Sequence, residues 1–241
     1  MPDHYQLLPE SSNFSGSLYG VFVILGIILS LRFWLKLAKT DERLILIYFG
    51  ALIGAFIGAK LAYILAEGIF YQGEDTWKYW LIGKSVTGAL LGGFLGVELI
   101  KKLVKYKKPT GDKFALIIPL GIITGRLGCL SHGCCGGVML DSGKHWPAVP
   151  VEIAFNLIIW LVLYLMHRKS MAKYQLFHIY LIAYGVFRFL HEFMRATPKV
   201  YQDISGYQFI ALVLAIVGTI AYIKRRNSQR CLPTSVIENN E

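Results

Sequence analysis

The chain of 241 residues is 55% hydrophobic and only 17% charged, with a mean hydropathy of +0.49. This excludes a disordered or fibrous protein, argues against a water-soluble domain, and leaves a polytopic membrane protein. In that setting the net charge of +10 reads as lysines and arginines retained on the cytoplasmic side, so no nucleic-acid partner is expected.

Apolar windows of about 20 residues, the length needed to cross a bilayer, fall near 17–36, 43–66, 80–104, 114–131, 150–167, 175–195 and 204–224. They predict an all-α fold, a bundle of seven transmembrane helices. The links are short and charge-rich, with no internal repeat and no Pro/Ser-rich linker, so residues 1–241 read as a single membrane domain. Arg32, Lys36, Lys39 and Arg43 flank the first link, and Lys101, Lys102, Lys105, Lys107, Lys108 and Lys113 flank the third. Arg168, Lys169 and Lys173 flank the fifth, and Lys224, Arg225, Arg226 and Arg230 follow the seventh span. The alternate links carry only Lys78, Lys144, Arg195 and Lys199. This asymmetry predicts an outer N-terminus and a cytoplasmic C-terminus. Residues 1–16 contain no Lys or Arg and no small-residue cleavage signal, so span one is expected to be retained.

Four cations, Lys60, Lys84, Arg126 and Arg188, fall inside the predicted spans. A cation at mid-bilayer costs on the order of 2.5–3.5 kcal/mol on insertion scales, so each calls for a partner or a wet cavity. Topology and a rise of about 1.5 Å per residue put all four in the outward-facing half, together with Glu152 and Glu192. Such a layer predicts one polar cavity open to the outer leaflet, with an anion such as a lipid phosphate as occupant. The competing reading is a set of structural ion pairs, with Lys60 and Lys84 reaching to the interface. Tyr184, Arg188, Glu192 and Arg195 follow helical spacing and form a polar stripe along span six. Gly54 and Gly58 in span two and Gly88, Gly92 and Gly96 in span three recur every four residues, the spacing of close helix contacts.

Span four ends in Gly125-Arg126-Leu127-Gly128-Cys129-Leu130-Ser131-His132-Gly133-Cys134-Cys135-Gly136-Gly137. This glycine density predicts a helix that breaks and loops back to line a cavity, with freed N–H groups available to a phosphate.

Here the sequence resembles the bacterial phosphatidylglycerol–prolipoprotein diacylglyceryl transferases, whose signature reads approximately G-R-x-G-N-F-x-N-x-E-x-x-G. Gly125, Arg126, Gly128 and Gly137 match it in register. Tyr19-Gly20, Gly58-Ala59-Lys60-Leu61-Ala62-Tyr63 (family G-A-R-L-x-Y), Pro150 with Glu152, Tyr184-Gly185-x-x-Arg188-x-x-x-Glu192-x-x-Arg195 and Gln208 extend the likeness over most of 17–222. Cys129 stands where the family has Asn, Cys134 where it has Glu, and Thr87 where its H-G-G-L-x-G segment has a histidine. The outer link at 67–79 is shorter than the family's head region.

The resemblance implies transfer of the diacylglyceryl group of phosphatidylglycerol to a cysteine thiol of a lipoprotein signal peptide. It also implies a multi-pass protein of the bacterial inner membrane and no cofactor or metal. Physically, the reaction needs cations for the phosphate and the leaving anion, a means of forming the thiolate, and a lateral opening. Arg126 and Arg188 are the expected phosphate-binding and leaving-group residues, with Tyr184 and Glu192 completing the catalytic set. Tyr19, Lys60, Lys84, Gly128, Gly137 and Glu152 are expected to help bind substrate. His132 or His191 is the candidate base. Cys129 with Cys134 or Cys135 admits a disulfide, a metal site with His132, a reactive thiol or plain packing, while Cys231 belongs to the cytoplasmic tail. Two functions from other classes stay open: a non-catalytic protein that binds or translocates anionic phospholipid, and a membrane thiol–disulfide oxidoreductase.

Overall fold

A computed structural model describes residues 13–39, 41–70, 77, 80, 83–201 and 203–230. Within them the long helices are α1 (Asn13–Ala38), α2 (Arg43–Ala66), α3 (Val86–Leu103), α4 (Gly111–His132), α5 (Ala148–Arg168), α6 (Leu176–His191) and α7 (Gly206–Arg230). A 3-10 turn at Gly68–Phe70 follows α2 and another at Glu192–Met194 follows α6. A two-stranded antiparallel ribbon, β1 (Lys199–Tyr201) and β2 (Ile204–Ser205), leads into α7. By length and composition α2, α4, α5 and residues Gly206–Ser228 of α7 are each able to cross a membrane. Their outward positions carry exposed apolar side chains such as Phe49, Ile53, Phe56, Leu161 and Ile220. Such a surface is stable in lipid and a liability in water. The protein is therefore an all-α, multi-pass membrane protein.

Helix boundaries follow local chemistry. Ser85 caps α3, its hydroxyl accepting from the Gly88 N–H at 3.3 Å, a role for which serine is among the preferred residues. The helix thus starts at Val86, six residues later than the apolar window at 80, and Lys84 precedes the helix instead of lying inside it. The expected break comes within the glycine-rich segment, one residue beyond the predicted end of the span. Gly125 and Gly128 remain helical, and α4 ends only at Gly133, whose φ of +71° is the left-handed cap that glycine adopts most cheaply.

The helices associate in groups. α2 and α3 form the closest pair, their backbones touching along the glycine seam: a Cβ on Gly54 or Gly58 would run into the carbonyl of Gly92 or Gly88, respectively. The other close contacts are α1 with α4, α4 with α5, and α6 with α7. At one end Trp34, Tyr48, Phe114 and Phe177 build a buried aromatic core. There Asp112 accepts the backbone N–H groups of Tyr174 at 2.6 Å and Leu176 at 3.0 Å, tying α4 to the start of α6. At the opposite end the Tyr207 hydroxyl donates to Glu67 at 2.7 Å, joining the end of α2 to the start of α7. A cleft of about 1570 Å³ runs between the α2–α3 pair and helices α1, α4, α6 and α7. That exceeds the roughly 300–1,000 Å³ typical of small-molecule sites.

Candidate active site

The polar end of the cleft is organised around one carboxylate. Glu152, about one turn into α5, has no exposed surface. Arg126 Nη2 lies 2.9 Å from its Oε1, and Arg188 Nη1 is 3.3 Å and Arg195 Nη1 3.8 Å from its Oε2. The Tyr184 hydroxyl donates to Oε1 at 2.7 Å. Glu192, equally buried, meets Arg188 Nη2 at 2.8 Å and Arg195 Nε at 3.6 Å, and accepts from the Thr197 hydroxyl at 2.6 Å. Below Glu152, its carbonyl accepts the Asn156 side-chain amide at 2.9 Å, and Tyr180 donates to Asn156 at the same distance. Three guanidinium groups thus face two carboxylates, and the buried cluster keeps one excess positive charge. Arg126 Nε and Arg195 Nε and Nη1 make no hydrogen bond in the structure. Three convergent guanidinium groups with one positive charge in excess favour an anion at the cleft wall.

Arg126, Arg188 and Arg195 all line the cleft. Arg195 reaches the site by a route that helical spacing does not show. After His191 the helix tightens to a 3-10 turn and Arg195 turns extended (φ −99°, ψ 143°). Val138 N–H then donates to Met194 O at 3.0 Å and Ala196 N–H to Gly136 O at 3.3 Å. This pairing folds the 136–138 segment along 194–196 and sets a bridge between Gly137 and Arg195. Gly137 is buried, and a Cβ there would lie 2.6 Å from Trp146 Cβ, so only glycine permits the crossing. Lys199, on β1, donates to Glu192 O at 2.7 Å. Burial pushes its ammonium below the ordinary lysine value, with Glu192 opposing the shift and Arg195 adding to it.

The expected site residues therefore separate. Arg126, Arg188, Tyr184, Glu152 and Glu192 come together in one network. Arg195, placed in an outer link by charge counting, is 6% exposed and joins them. Lys84 is exposed and lines the same cleft away from the network, whereas Lys60 donates to the carbonyls of Trp80 and Gly83, both at 3.1 Å. Gly128 is buried within α4, its carbonyl accepting from Ser131 at 2.9 Å. Tyr19 lies on α1 and its side chain is outside the described residues. Of the candidate bases, His132 lines the cleft, while His191 Nε2 accepts from Trp146 Nε1 at 3.3 Å. Thr87 is 1% exposed and its hydroxyl pairs with Ser85 at 2.8 Å. Cys129, Cys134 and Cys135 are free thiols lining the cleft beside Arg126, whose Nη1 is 3.8 Å from Cys129 Sγ. Cys231 lies outside the described residues.

A family model described as prolipoprotein diacylglyceryl transferase matches residues 9–224. The chain belongs to this family. Curated members resemble it at low identity along most of their length. The phosphatidylglycerol–prolipoprotein diacylglyceryl transferase 2 of Clostridium perfringens is 28% identical over 229 residues, covering 85% of this chain and 89% of that protein. The phosphatidylglycerol–prolipoprotein diacylglyceryl transferase of Thermotoga maritima is 28% identical over 240 residues, 88% of this chain and 81% of its own. That of Staphylococcus xylosus is 25% identical over 253 residues, 95% and 91% respectively. Family membership favours the transferase among the functions left open by the sequence.

Proposed function

We propose that this member of the family transfers the diacylglyceryl group of phosphatidylglycerol to a cysteine thiol of a lipoprotein signal peptide, at the outer face of the bacterial inner membrane. The single domain crosses the bilayer seven times, with its N-terminus outside and its C-terminus in the cytoplasm. The observation that carries the reading is the convergence of Arg126, Arg188 and Arg195 on Glu152, in a cluster of net positive charge at the wall of a cleft large enough for lipid chains. Apolar walls such as Leu52, Ala55, Leu90, Ile118 and Ile122 line the cleft below the polar end and suit acyl chains.

The reaction develops negative charge on a departing glycerol phosphate, so preorganised cations near the phosphate lower the barrier more than the ground state. Arg126 and Arg188 are catalytic residues in this account, binding the phosphate and stabilising the leaving anion. Glu152 and Glu192 are positioning residues: they fix the planes of the guanidinium groups and leave outward N–H donors available. Tyr184, donating to Glu152, holds that carboxylate in place. Lys84, at the cleft wall, attracts the anionic headgroup, and Tyr19, Lys60, Gly128 and Gly137 support the substrate region through their helices and the 136–138 crossing.

Proteoliposomes holding radiolabelled phosphatidylglycerol and a synthetic signal peptide with one cysteine test this function. Labelled peptide, with one glycerol phosphate released per thioether, is the expected result. Lipid bound with neither product refutes transfer and supports a lipid-binding role.

A further inference from the structure

The site as described is suited to an anion, and of the candidate bases for the acceptor thiol only His132 lines the cleft. Thr87 is tied to Ser85, and His191 Nε2 is engaged by Trp146. Next to Arg126, however, the Sγ atoms of Cys129, Cys134 and Cys135 lie within 4.8 Å of one another. The backbone brings them together. Cys129 sits in the last turns of α4, Gly133 reverses the chain, and the Cys134 N–H donates back to Cys129 O at 3.2 Å. Cys135 then adopts φ +64°, a left-handed conformation that non-glycine residues rarely take.

A zinc ion bound by thiolates at about 2.3 Å in tetrahedral geometry separates its sulfurs by about 3.8 Å. The three thiols need to close by about 1 Å at most to reach it. Three protein ligands leave a fourth position, and all three cysteines line the cleft, so that position opens where substrates enter. Zinc with three thiolates carries one negative charge, and two once the acceptor thiolate binds; Arg126, 3.8 Å from Cys129 Sγ, offsets part of it. The other terminal nitrogen of that guanidinium contacts Glu152 at 2.9 Å, so the thiol cluster and the anion site are immediate neighbours.

We propose that Cys129, Cys134 and Cys135 bind a zinc ion whose fourth ligand is the acceptor thiol, so that metal coordination forms the nucleophile where this chain has no histidine at Thr87. Coordination makes the thiolate form accessible at neutral pH. The acceptor sulfur attacks the glyceryl carbon that bears the phosphate: one C–S bond forms, one C–O bond breaks, and the bonding pair leaves with the phosphate oxygen. The proton released by the thiol ends on the glycerol phosphate, and no electron is gained or lost from outside. This inference rests on the transfer function proposed above.

The full-length protein, purified in detergent under anaerobic reducing conditions, is loaded with Co²⁺ as a spectroscopic substitute for zinc. The expected result is one equivalent per chain, with thiolate-to-cobalt charge-transfer absorption and the intense ligand-field bands of tetrahedral cobalt. A signal peptide carrying cysteine shifts those bands, and its serine analogue does not. Each of the variants C129S, C134S and C135S weakens the charge-transfer band. Absence of the band in the reduced native protein, or its persistence when all three cysteines are serine, overturns the site. Transfer at the native rate after chelation, with metal shown to be absent, overturns the zinc role and leaves the transfer function standing. Bound cobalt with neither a peptide-induced shift nor transfer overturns the role and counts against the transfer function as well.

Discussion

Replacing Glu152 by glutamine tests the electrostatic core of the site. The substitution keeps the shape and an oxygen that can accept from Tyr184, and removes only the charge. Two guanidinium groups at 2.9 and 3.3 Å and a third at 3.8 Å then lose their shared counter-ion. Glu192 alone remains against three arginines, doubling the excess positive charge. Removing one partner from a buried ion pair costs about 3–5 kcal/mol because the remaining charge stays desolvated. For a chain of this size that corresponds to a fall in Tm of roughly 6–20 °C. A bound anion replaces the missing charge, so glycerol phosphate is expected to raise the Tm of E152Q by more than that of the native protein. Thermal unfolding in detergent, followed by tryptophan fluorescence with and without glycerol phosphate, supplies both numbers. A variant that unfolds with the native protein, or that gains no more from glycerol phosphate, refutes the idea that Glu152 balances a positive anion site.

Other perturbations probe neighbouring steps of the account. Tyr184→Phe removes a buried donor 2.7 Å from Glu152; a hydrogen bond to a charged group is worth about 1.5–3 kcal/mol, and a loss of that size is expected in the same unfolding assay, together with a slower transfer rate. Gly58→Ala places a methyl group against the Gly88 carbonyl and 2.8 Å from Gly92 Cα; the α2–α3 pair has to separate, and a cost of about 1–3 kcal/mol is expected, whereas Gly121→Ala, with open space around it, is expected to leave stability unchanged. A tag fused after residue 241 is expected to be cut by added protease only in inverted membrane vesicles; cleavage in right-side-out vesicles refutes the proposed topology.

Much of this was legible in the sequence, and the gaps have physical causes. The windows at 43–66, 114–131 and 150–167 agree closely with α2, α4 and α5, because each is a continuous apolar run with little polar interruption. The window at 80 starts too early because Trp80, Leu81 and Ile82 are as apolar as a helix interior, and hydropathy is blind to the Ser85 cap. Arg126, Arg188 and Glu152 stood out as charges inside apolar runs, which lipid tolerates only when they are partnered. Arg195 was counted with an outer link and also fell on the polar stripe of span six with Tyr184, Arg188 and Glu192; what the spacing does not show is the backbone pairing with the segment around Gly137, a contact between residues some sixty positions apart. Lys60 has the same sequence signature as Arg126 and yet satisfies backbone carbonyls at Trp80 and Gly83, a distinction that only the path of the chain decides. The break expected in the glycine-rich segment falls at Gly133, which takes the left-handed turn, whereas Gly125 and Gly128 stay within the helix; residue type alone does not say which glycine of the run ends it.

The account stands on Arg126 and Arg188 acting together on the lipid phosphate. The most direct measurement is the initial rate of diacylglyceryl transfer by Arg126→Ala and Arg188→Ala in proteoliposomes, alongside circular dichroism and size exclusion to establish that each variant is folded. Loss of a preorganised charge-stabilising donor typically costs about 100- to 1,000-fold in rate, and a loss at least that large is predicted for each. A folded variant of either arginine that transfers the diacylglyceryl group at the native rate contradicts the assignment.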